Sequence, residues 1–166
     1  MPTEISGSTG VNKIQSSAIE YGDLPTGSVL QVVESVLSSQ SSTTSTSFVD
    51  AGLSASITPT STSSKILVTA SLGGAMIINN GGANAAGNYR ILKDSSTEVV
   101  VSRITSYDYG GSGSYIVVPA YLCKLDSPST TSTVTYTLQM HLTTGNDIRI
   151  CRGDSTANLT LTEIAG

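Results

Sequence analysis

The sequence predicts an all-β fold, a jelly-roll-like antiparallel β-sandwich of two sheets with an extended N-terminal arm. Apolar and polar residues alternate with period two in short segments that recur about every ten to fifteen residues, which is typical of sandwiches and barrels. The β-branched residues Val, Ile and Thr are abundant, and they favour strands. No segment keeps the period of a helix for more than about two turns. The length of 166 residues fits one domain.

The N-terminal residues 1–26 differ from the rest of the chain. They show no sustained alternation and contain the turn-forming runs Gly-Ser-Thr-Gly and Gly-Asp-Leu-Pro-Thr-Gly. We therefore expect an extended arm for docking or assembly over residues 1–26 and a β-sandwich domain over residues 27–166. The side chains expected to dock this arm on a partner are Val11, Ile14, Ile19, Tyr21 and Leu24.

The first predicted strands surround a stretch of hydroxyl residues. Residues 28–36 and 48–57 alternate, and the second segment ends at Pro59, because proline removes a donor from the ladder. Residues 37–47 are almost entirely Ser and Thr, so they fit an edge strand and a mobile loop equally well. Residues 65–72 are nearly continuously apolar, which predicts a central strand.

The middle of the chain alternates between predicted loops and a hairpin. Residues 79–87 are rich in Asn, Gly and Ala and predict a flexible loop. Residues 89–93 and 98–105 flank Asp94-Ser95-Ser96, which predicts a β-hairpin. Residues 107–114 hold two tyrosines, one aspartate and three glycines, and we expect an exposed loop there.

The last third of the chain predicts three further strands and one interrupted strand. Residues 114–125 form a long strand broken at Pro119, where we expect a bulge or a sheet edge. Residues 131–143 place Val134, Tyr136, Leu138, Met140 and Leu142 on one face. The Gly145-Asn146 turn leads into residues 148–151, and residues 157–164 form the last strand. These assignments give about nine strands.

Composition excludes two classes of partner. The chain holds 28 serines and 22 threonines, only 12% charged residues, and a net charge of −4. Its eight scattered Lys and Arg residues form no stripe that follows phosphates, so we expect no nucleic-acid partner. No apolar run approaches the roughly 20 residues that cross a bilayer, so we expect no membrane insertion. The N-terminus lacks the layout of a signal peptide, so we expect synthesis in the cytoplasm without export.

The sequence offers no catalytic or metal-binding constellation, so we predict a non-enzymatic protein without a cofactor or metal. The single histidine, His141, alternates away from Met140 and Leu142 and is expected at a surface or interface. Cys123 and Cys151 are too few for a zinc site. They lie on separate predicted strands and could pair with each other, but without export we expect two reduced, semi-buried thiols. The candidate carboxylates for an acid pair are Glu98, Asp108, Asp126, Asp147 and Asp154, of which no two stand out.

Tyrosines beside Gly/Ser loops form the remaining candidate site. Tyr107, Asp108, Tyr109 and Tyr115 surround one such loop, and Tyr89 follows another. Tyrosine gives a flat amphipathic contact at low entropic cost, and small residues adapt around it. These residues therefore predict either a surface that binds host glycans or tyrosines that pack against a neighbouring subunit, and both interpretations remain open.

Several segments resemble the small virion proteins of tailed bacteriophages. They are residues 26–33, 46–59, 63–68, 89–94, 125–128, 134–138 and 155–165, while residues 9–15 in the arm are similar to the N-terminal stretches of phage fibre proteins. The resemblance covers most of residues 9–166. These motifs are structural, and the resemblance transfers no catalytic residue.

The resemblance implies a homotrimeric fibre or tip subunit on the exterior of the virion that contacts the host surface. The virion would be assembled in the host cytoplasm, and the arm would dock on a tail adaptor. An alternative is a capsid decoration or head-fibre protein whose arm docks on the major capsid protein. A tail fibre usually carries a long shaft, whereas only about 26 residues precede this domain, so both locations remain open.

Overall fold

A computed structural model describes residues 21–79, 84–107 and 114–166. Within these ranges the chain forms three antiparallel four-stranded sheets and a short 3-10 turn at Tyr21–Asp23. The prediction of an all-β sandwich is therefore confirmed. The structure adds a third sheet to the two that were predicted.

Twelve strands make up these sheets, where about nine were expected. In chain order they are β1 (Val29–Leu37), β2 (Ser41–Thr43), β3 (Val49–Ile57), β4 (Lys65–Ser71), β5 (Ala75–Asn79), β6 (Ala85–Lys93), β7 (Thr97–Ser106), β8 (Ser114–Val118), β9 (Tyr121–Asp126), β10 (Val134–Thr144), β11 (Asp147–Ile150) and β12 (Ala157–Ile164). Sheet 1 has the order β1-β12-β4-β9, and sheet 2 has the order β3-β10-β6-β7. The third sheet, β2-β11-β5-β8, is called the cap sheet below.

The chain passes between sheets 1 and 2 with the topology of a jelly roll. Each of four crossings between these sheets contributes one strand to the cap sheet. Strand β2 lies between β1 and β3, and β5 lies between β4 and β6. Strand β8 lies between β7 and β9, and β11 lies between β10 and β12. The cap sheet therefore closes one end of the sandwich with the segments that connect its two layers.

The core lies between sheets 1 and 2 and follows the predicted alternation. The five alternating residues predicted to share a face of β10 are all buried: Val134, Tyr136, Leu138, Met140 and Leu142. On the opposite layer, Leu159 and Leu161 of β12 are fully buried, while the intervening Thr160 is half-buried on the outer surface. Strand β4 lies inside sheet 1, which confirms its predicted central position.

The predicted loop over residues 79–87 is wrong in part. Asn79 ends β5, and Ala85 to Gly87 begin β6, while residues 80–83 lie outside the described ranges. Strand β5 was not predicted, because its sequence Ala-Met-Ile-Ile-Asn does not alternate. Four of its five residues are buried, and a strand covered on both faces has no polar face to reveal its period.

Two open expectations have definite outcomes. Within residues 37–47 the structure forms β2, an edge strand of the cap sheet. The strand predicted over residues 114–125 is interrupted at Pro119 and divides into β8 and β9, which lie at the edges of two different sheets. Proline is tolerated at this junction because no ladder partner needs its missing N–H.

The predicted hairpin is confirmed, and its turn has the expected chemistry. Asp94 and Ser95 have positive φ angles of 48° and 60°, as the central residues of a type I′ turn do. The N–H of Ser96 donates to the carbonyl oxygen of Lys93 at 3.1 Å. Short Asp and Ser side chains tolerate this left-handed backbone better than bulky residues.

Candidate functional site

The tyrosines that were predicted to form one contact surface differ in exposure. Tyr107 and Tyr115 are exposed, with 59% and 61% of their surface accessible. Asp108 and Tyr109 lie outside the described residues. Tyr89 is buried, so the expectation that it contacts a partner is wrong.

Tyr89 instead joins sheet 2 to the cap sheet. It points inward from β6, on the same face as Ile91, and its hydroxyl donates to the carbonyl oxygen of Arg149 at 2.8 Å. Burial raises the pKa of Tyr89 well above its usual value. The side chain is therefore a neutral structural donor. The spacing of two residues between Tyr89 and Ile91 predicts that both point inward, whereas the Gly-rich segment before Tyr89 favours an exposed contact residue.

The predicted docking arm meets the domain at a cleft of about 360 Å³. Val11, Ile14 and Ile19 lie outside the described residues, and Tyr21 begins the 3-10 turn. Leu24 is half-buried and lines the cleft together with Leu30 of β1. The other lining residues are Gly22, Thr26, Thr60, Ser61, Ser63, Ser64, Ala165 and Gly166. This cleft lies at the end of the sandwich opposite the cap sheet.

The outer surface of sheet 1 is a second candidate, built from three cross-strand rows of four residues. In the order β1, β12, β4 and β9, the rows are Val32-Thr162-Leu67-Leu125, Glu34-Thr160-Thr69-Cys123 and Val36-Asn158-Ser71-Tyr121. These twelve residues are called the sheet 1 face. Glu34 is their only charged member, and its carboxylate accepts a hydrogen bond from the Asn158 amide at 2.9 Å.

Apolar residues on the sheet 1 face concentrate at its two edges. On β1, Val32 and Val36 are 59% and 58% exposed. On β9, Tyr121 and Leu125 are 62% and 50% exposed. The two inner strands carry mostly Thr, Ser and Asn between these edges. The face therefore has two apolar borders and a hydroxyl-rich centre.

The β9 border continues along β8 as an apolar stripe. Alternate residues from Tyr115 to Leu125 all point to solvent: Tyr115, Val117, Pro119, Tyr121, Cys123 and Leu125. Of this stripe, the prediction included only Tyr115. The others could have been predicted from the same alternation. If Leu122 points into the core, its neighbours Tyr121 and Cys123 must point to the opposite, exposed face.

The outer surface of sheet 2 has the opposite character, because a polar network crosses its strands. The amide of Gln139 donates to Asp50 at 2.7 Å and accepts from two guanidinium nitrogens of Arg90 at 2.8 and 3.0 Å. Arg90 also pairs with Glu98 at 3.4 Å and lies 3.8 Å from the ring centroid of Phe48. The polar groups of this network are therefore hydrogen-bonded to one another within the chain.

His141 lies on this outer surface of sheet 2, as predicted from its alternation with Met140 and Leu142. Its Nε2 is 3.0 Å from the amide nitrogen of Asn88, and its ring centroid is 4.2 Å from that of Phe48. The imidazole thus packs within the cross-strand network. No hydroxyl nucleophile is among the partners that the structure records for it.

Two carboxylates point inward from one row of sheet 1. Glu163 pairs across the strands with Ile66, and Ile66 pairs with Asp126. Asp126 accepts from the ammonium of Lys93 at 2.9 Å and from the hydroxyl of Tyr136 at 2.8 Å. Burial raises the pKa of Asp126, but hydrogen bonds from Lys93 and Tyr136 outweigh it and hold the pKa below the usual value.

Glu163 is fully buried and was not singled out from the sequence. Its carboxylate accepts from Gln31 at 2.5 Å and from both the backbone N–H and the hydroxyl of Thr60 at 2.7 Å. Burial raises the pKa of Glu163, but hydrogen bonds from Gln31 and Thr60 outweigh it and lower the pKa. A general acid needs a raised pKa, so neither inward carboxylate is suited to that role.

The two cysteines have different surroundings, and both are free thiols. Cys123 is exposed in the middle row of the sheet 1 face, whereas Cys151 is buried. Burial raises the pKa of the Cys151 thiol. The expectation of two semi-buried thiols is therefore wrong for both positions, although the expected reduced state agrees with the structure.

Within residues 21–79, 84–107 and 114–166, no three His, Cys, Asp or Glu side chains lie close enough to hold a metal ion. Of the helices in that same part of the chain, none has the length and apolarity to cross a membrane. No known protein family matches the chain, and no curated protein sequence matches it either.

Proposed function

We propose that this protein is a non-enzymatic structural subunit of a bacteriophage virion, a homotrimeric fibre or tip domain on the particle exterior. The observation that carries the proposal is the sheet 1 face, which bears one charge among twelve residues and exposes apolar side chains along both edges. Exposed apolar side chains that line both edges of a charge-poor face favour a surface that a protein partner covers. A subunit of an assembly has such a partner in its own copies.

Contact with the host surface is assigned to the cap end of the domain. Exposed Tyr115 and Tyr107 lie on either side of the segment 108–113, and the guanidinium of Arg152 is 5.4 Å from the Tyr115 ring. A flat ring with an adjacent donor suits the apolar face and hydroxyls of a sugar. We propose a host surface glycan as the ligand of this end.

A second candidate function is capsid decoration, and the cleft at the base of the arm supports it. Leu24 and the lining hydroxyls lie where the arm joins the domain, opposite the cap sheet. An arm that docks on a major capsid protein would leave the cap end pointing outward. A tail adaptor would serve as the docking partner of a fibre in the same way.

The oligomeric state tests the trimer. Size-exclusion chromatography with light scattering should give three times the chain mass of 17.0 kDa, about 51 kDa. A mass of one chain at micromolar concentration would contradict the proposal.

The location in the particle tests the rest. A labelled copy should appear at the tail tip for a fibre or over the shell for a decoration protein, and its absence from purified particles would overturn both.

Binding of purified protein to host cells should weaken in Tyr115→Ala and persist in Val101→Ala, a control on the outer surface of sheet 2.

A further inference from the structure

We infer that the sheet 1 face is the contact between copies of this chain, with the β1 edge of one copy against the β9 edge of the next. This inference rests on the proposed homotrimer and names the surface that forms it. The three-fold axis runs parallel to the strands of sheet 1. The face of each copy is turned toward that axis.

Electrostatics selects a second copy as the occupant of this face. Each chain has a net charge of −4, so two copies repel unless they meet where charge is sparse. Glu34 is the only charged residue among the twelve of the sheet 1 face, and Lys65 follows in the next row of the same outer surface. The outer surface of sheet 2 carries Asp50, Arg90 and Glu98. The charge-poor face therefore meets its own copy at a lower electrostatic cost than the outer surface of sheet 2 would.

The register between strands determines which residues meet. A rotation about an axis parallel to the strands leaves the height along the strands unchanged, so each row meets the same row of the next copy. Val32 then faces Leu125 of the next copy, and Val36 faces Tyr121 of the next copy. The apolar side chains of one edge thus contact the apolar side chains of the other.

The hydroxyl centre of the face favours three copies over two. Two faces stacked flat on each other would bury Thr160, Thr69 and Ser71 without water, and unsatisfied buried hydroxyls are costly. In a triangular arrangement only the edges touch, and the centre of each face surrounds the axis. Hydroxyl side chains can stay hydrated there.

A single engineered cysteine tests the row pairing, because Glu34 and Cys123 occupy opposite ends of the middle row. Glu34→Cys should form a disulfide with the native Cys123 of the next copy and give covalent trimers on a non-reducing gel. Within one chain the two positions are three strand spacings apart, about 14 Å. A disulfide needs Cα atoms within about 7 Å, so it must join different copies.

Two controls define the result. Glu34→Cys combined with Cys123→Ser should give no covalent trimer. Ser54→Cys places an equally exposed cysteine on the outer surface of sheet 2 and should also stay uncross-linked. Covalent dimers as the largest product would overturn the three-fold arrangement.

A charge variant tests the face independently of disulfide geometry. Val32→Asp should convert the 51 kDa species, about three chains, to the mass of one chain, while Val101→Asp on sheet 2 should stay trimeric. A wild-type trimer that persists in Val32→Asp would overturn this inference and leave the proposed trimer standing. A wild-type monomer would overturn the proposed trimer itself.

Discussion

Asp126 and Glu163 hold together the end of the sandwich that the cap sheet does not cover. Asp126 of sheet 1 binds Lys93 and Tyr136, which both belong to sheet 2. Glu163 binds Gln31 of β1 and Thr60 of the segment that leaves β3. Each of these four partners donates to an ionised carboxylate, and charge-assisted hydrogen bonds of this kind are stronger than bonds between neutral groups. These two residues therefore act across layers, where backbone hydrogen bonds do not reach.

Asp126→Asn should destabilise the protein by about 1–3 kcal/mol, because the half-buried Lys93 ammonium loses its counter-charge. Chemical denaturation followed by circular dichroism measures the change. Asp154→Asn, at an exposed position in the loop before β12, is the matched control and should change stability by less than about 0.5 kcal/mol. Equal effects of the two substitutions would contradict a structural role for Asp126.

The same carboxylates make stability depend on acid pH. Both have a pKa below the usual value in the folded protein, so their contribution is complete above the unfolded pKa of about 4. It is lost as pH falls through the lower folded pKa values. The midpoint of unfolding should be measured at a series of pH values between pH 7 and pH 2. In the wild type it should decrease once the pH is below about 4, and the decrease should be smaller in Asp126→Asn. A parallel drop in both proteins would argue against this assignment.

At the scale of elements, the sequence predicted those strands that have one face in the core and one in water. Strand β10 alternates through five buried residues, and its limits are close to the prediction. Strand β5 has no polar face and was missed, and β2 has no apolar face and remained ambiguous. Assignment to a third sheet was also beyond the sequence, because pairing between β2 and β11 joins segments about a hundred residues apart.

The candidate site was predictable to a similar degree and for the same reason. Alternation identified His141 as outward and was sufficient to place Tyr89 inward, although Tyr89 was assigned to the contact surface. The sheet 1 face was not predicted, since it combines β1, β12, β4 and β9, whose order cannot be read from local sequence. The composition shows that the chain has few charged residues, but which surface lacks them depends on the order of the strands in the sheets.

The turn between β4 and β5 depends on a glycine that no other residue can replace without movement. Gly73 has a φ of 56°, and an added Cβ would overlap the carbonyl oxygen of Thr156. Gly74 has a φ of 74°, yet the nearest atom to an added Cβ is the Ser155 hydroxyl oxygen at 3.4 Å. Both glycines have a left-handed backbone conformation, but only Gly73 lacks room for a Cβ atom.

Gly73→Ala should therefore lower stability by at least about 2 kcal/mol more than Gly74→Ala, which pays only about 1–2 kcal/mol for the left-handed backbone. Thermal unfolding of both variants gives the comparison. If the two alanine variants melt together, close approach of Thr156 does not constrain this turn.

At the scale of the whole molecule, charge is distributed by face. Sheet 2 carries a network of Asp50, Gln139, Arg90 and Glu98 that is satisfied within the chain. The outer surface of sheet 1 carries fewer charged side chains, Glu34 and Lys65, and the apolar residues of the sheet 1 face lie along its two edges. In the proposed trimer, association through sheet 1 would therefore be driven by burial of apolar surface and not by ion pairs between copies.

Salt distinguishes these two driving forces. The dissociation constant of the proposed trimer should change by less than about threefold between about 0.05 M and about 0.5 M sodium chloride, because screening removes little. Sodium sulfate should strengthen the trimer, since it favours burial of apolar surface. Sedimentation equilibrium provides the constants, and a tenfold weakening in sodium chloride would show that ion pairs hold the copies together.

The positions of β10, β11 and β12 have a consequence for biosynthesis. Sheet 1 contains β12, sheet 2 contains β10 and the cap sheet contains β11, in each case as an inner strand that joins two neighbours. A ribosome must therefore release the chain beyond Val134 before any sheet is complete. Folding then closes long loops all at once, which makes it slow and cooperative. A chain truncated before Val134 lacks the inner strand that joins the two parts of each sheet, so we expect that only the fully translated chain can fold.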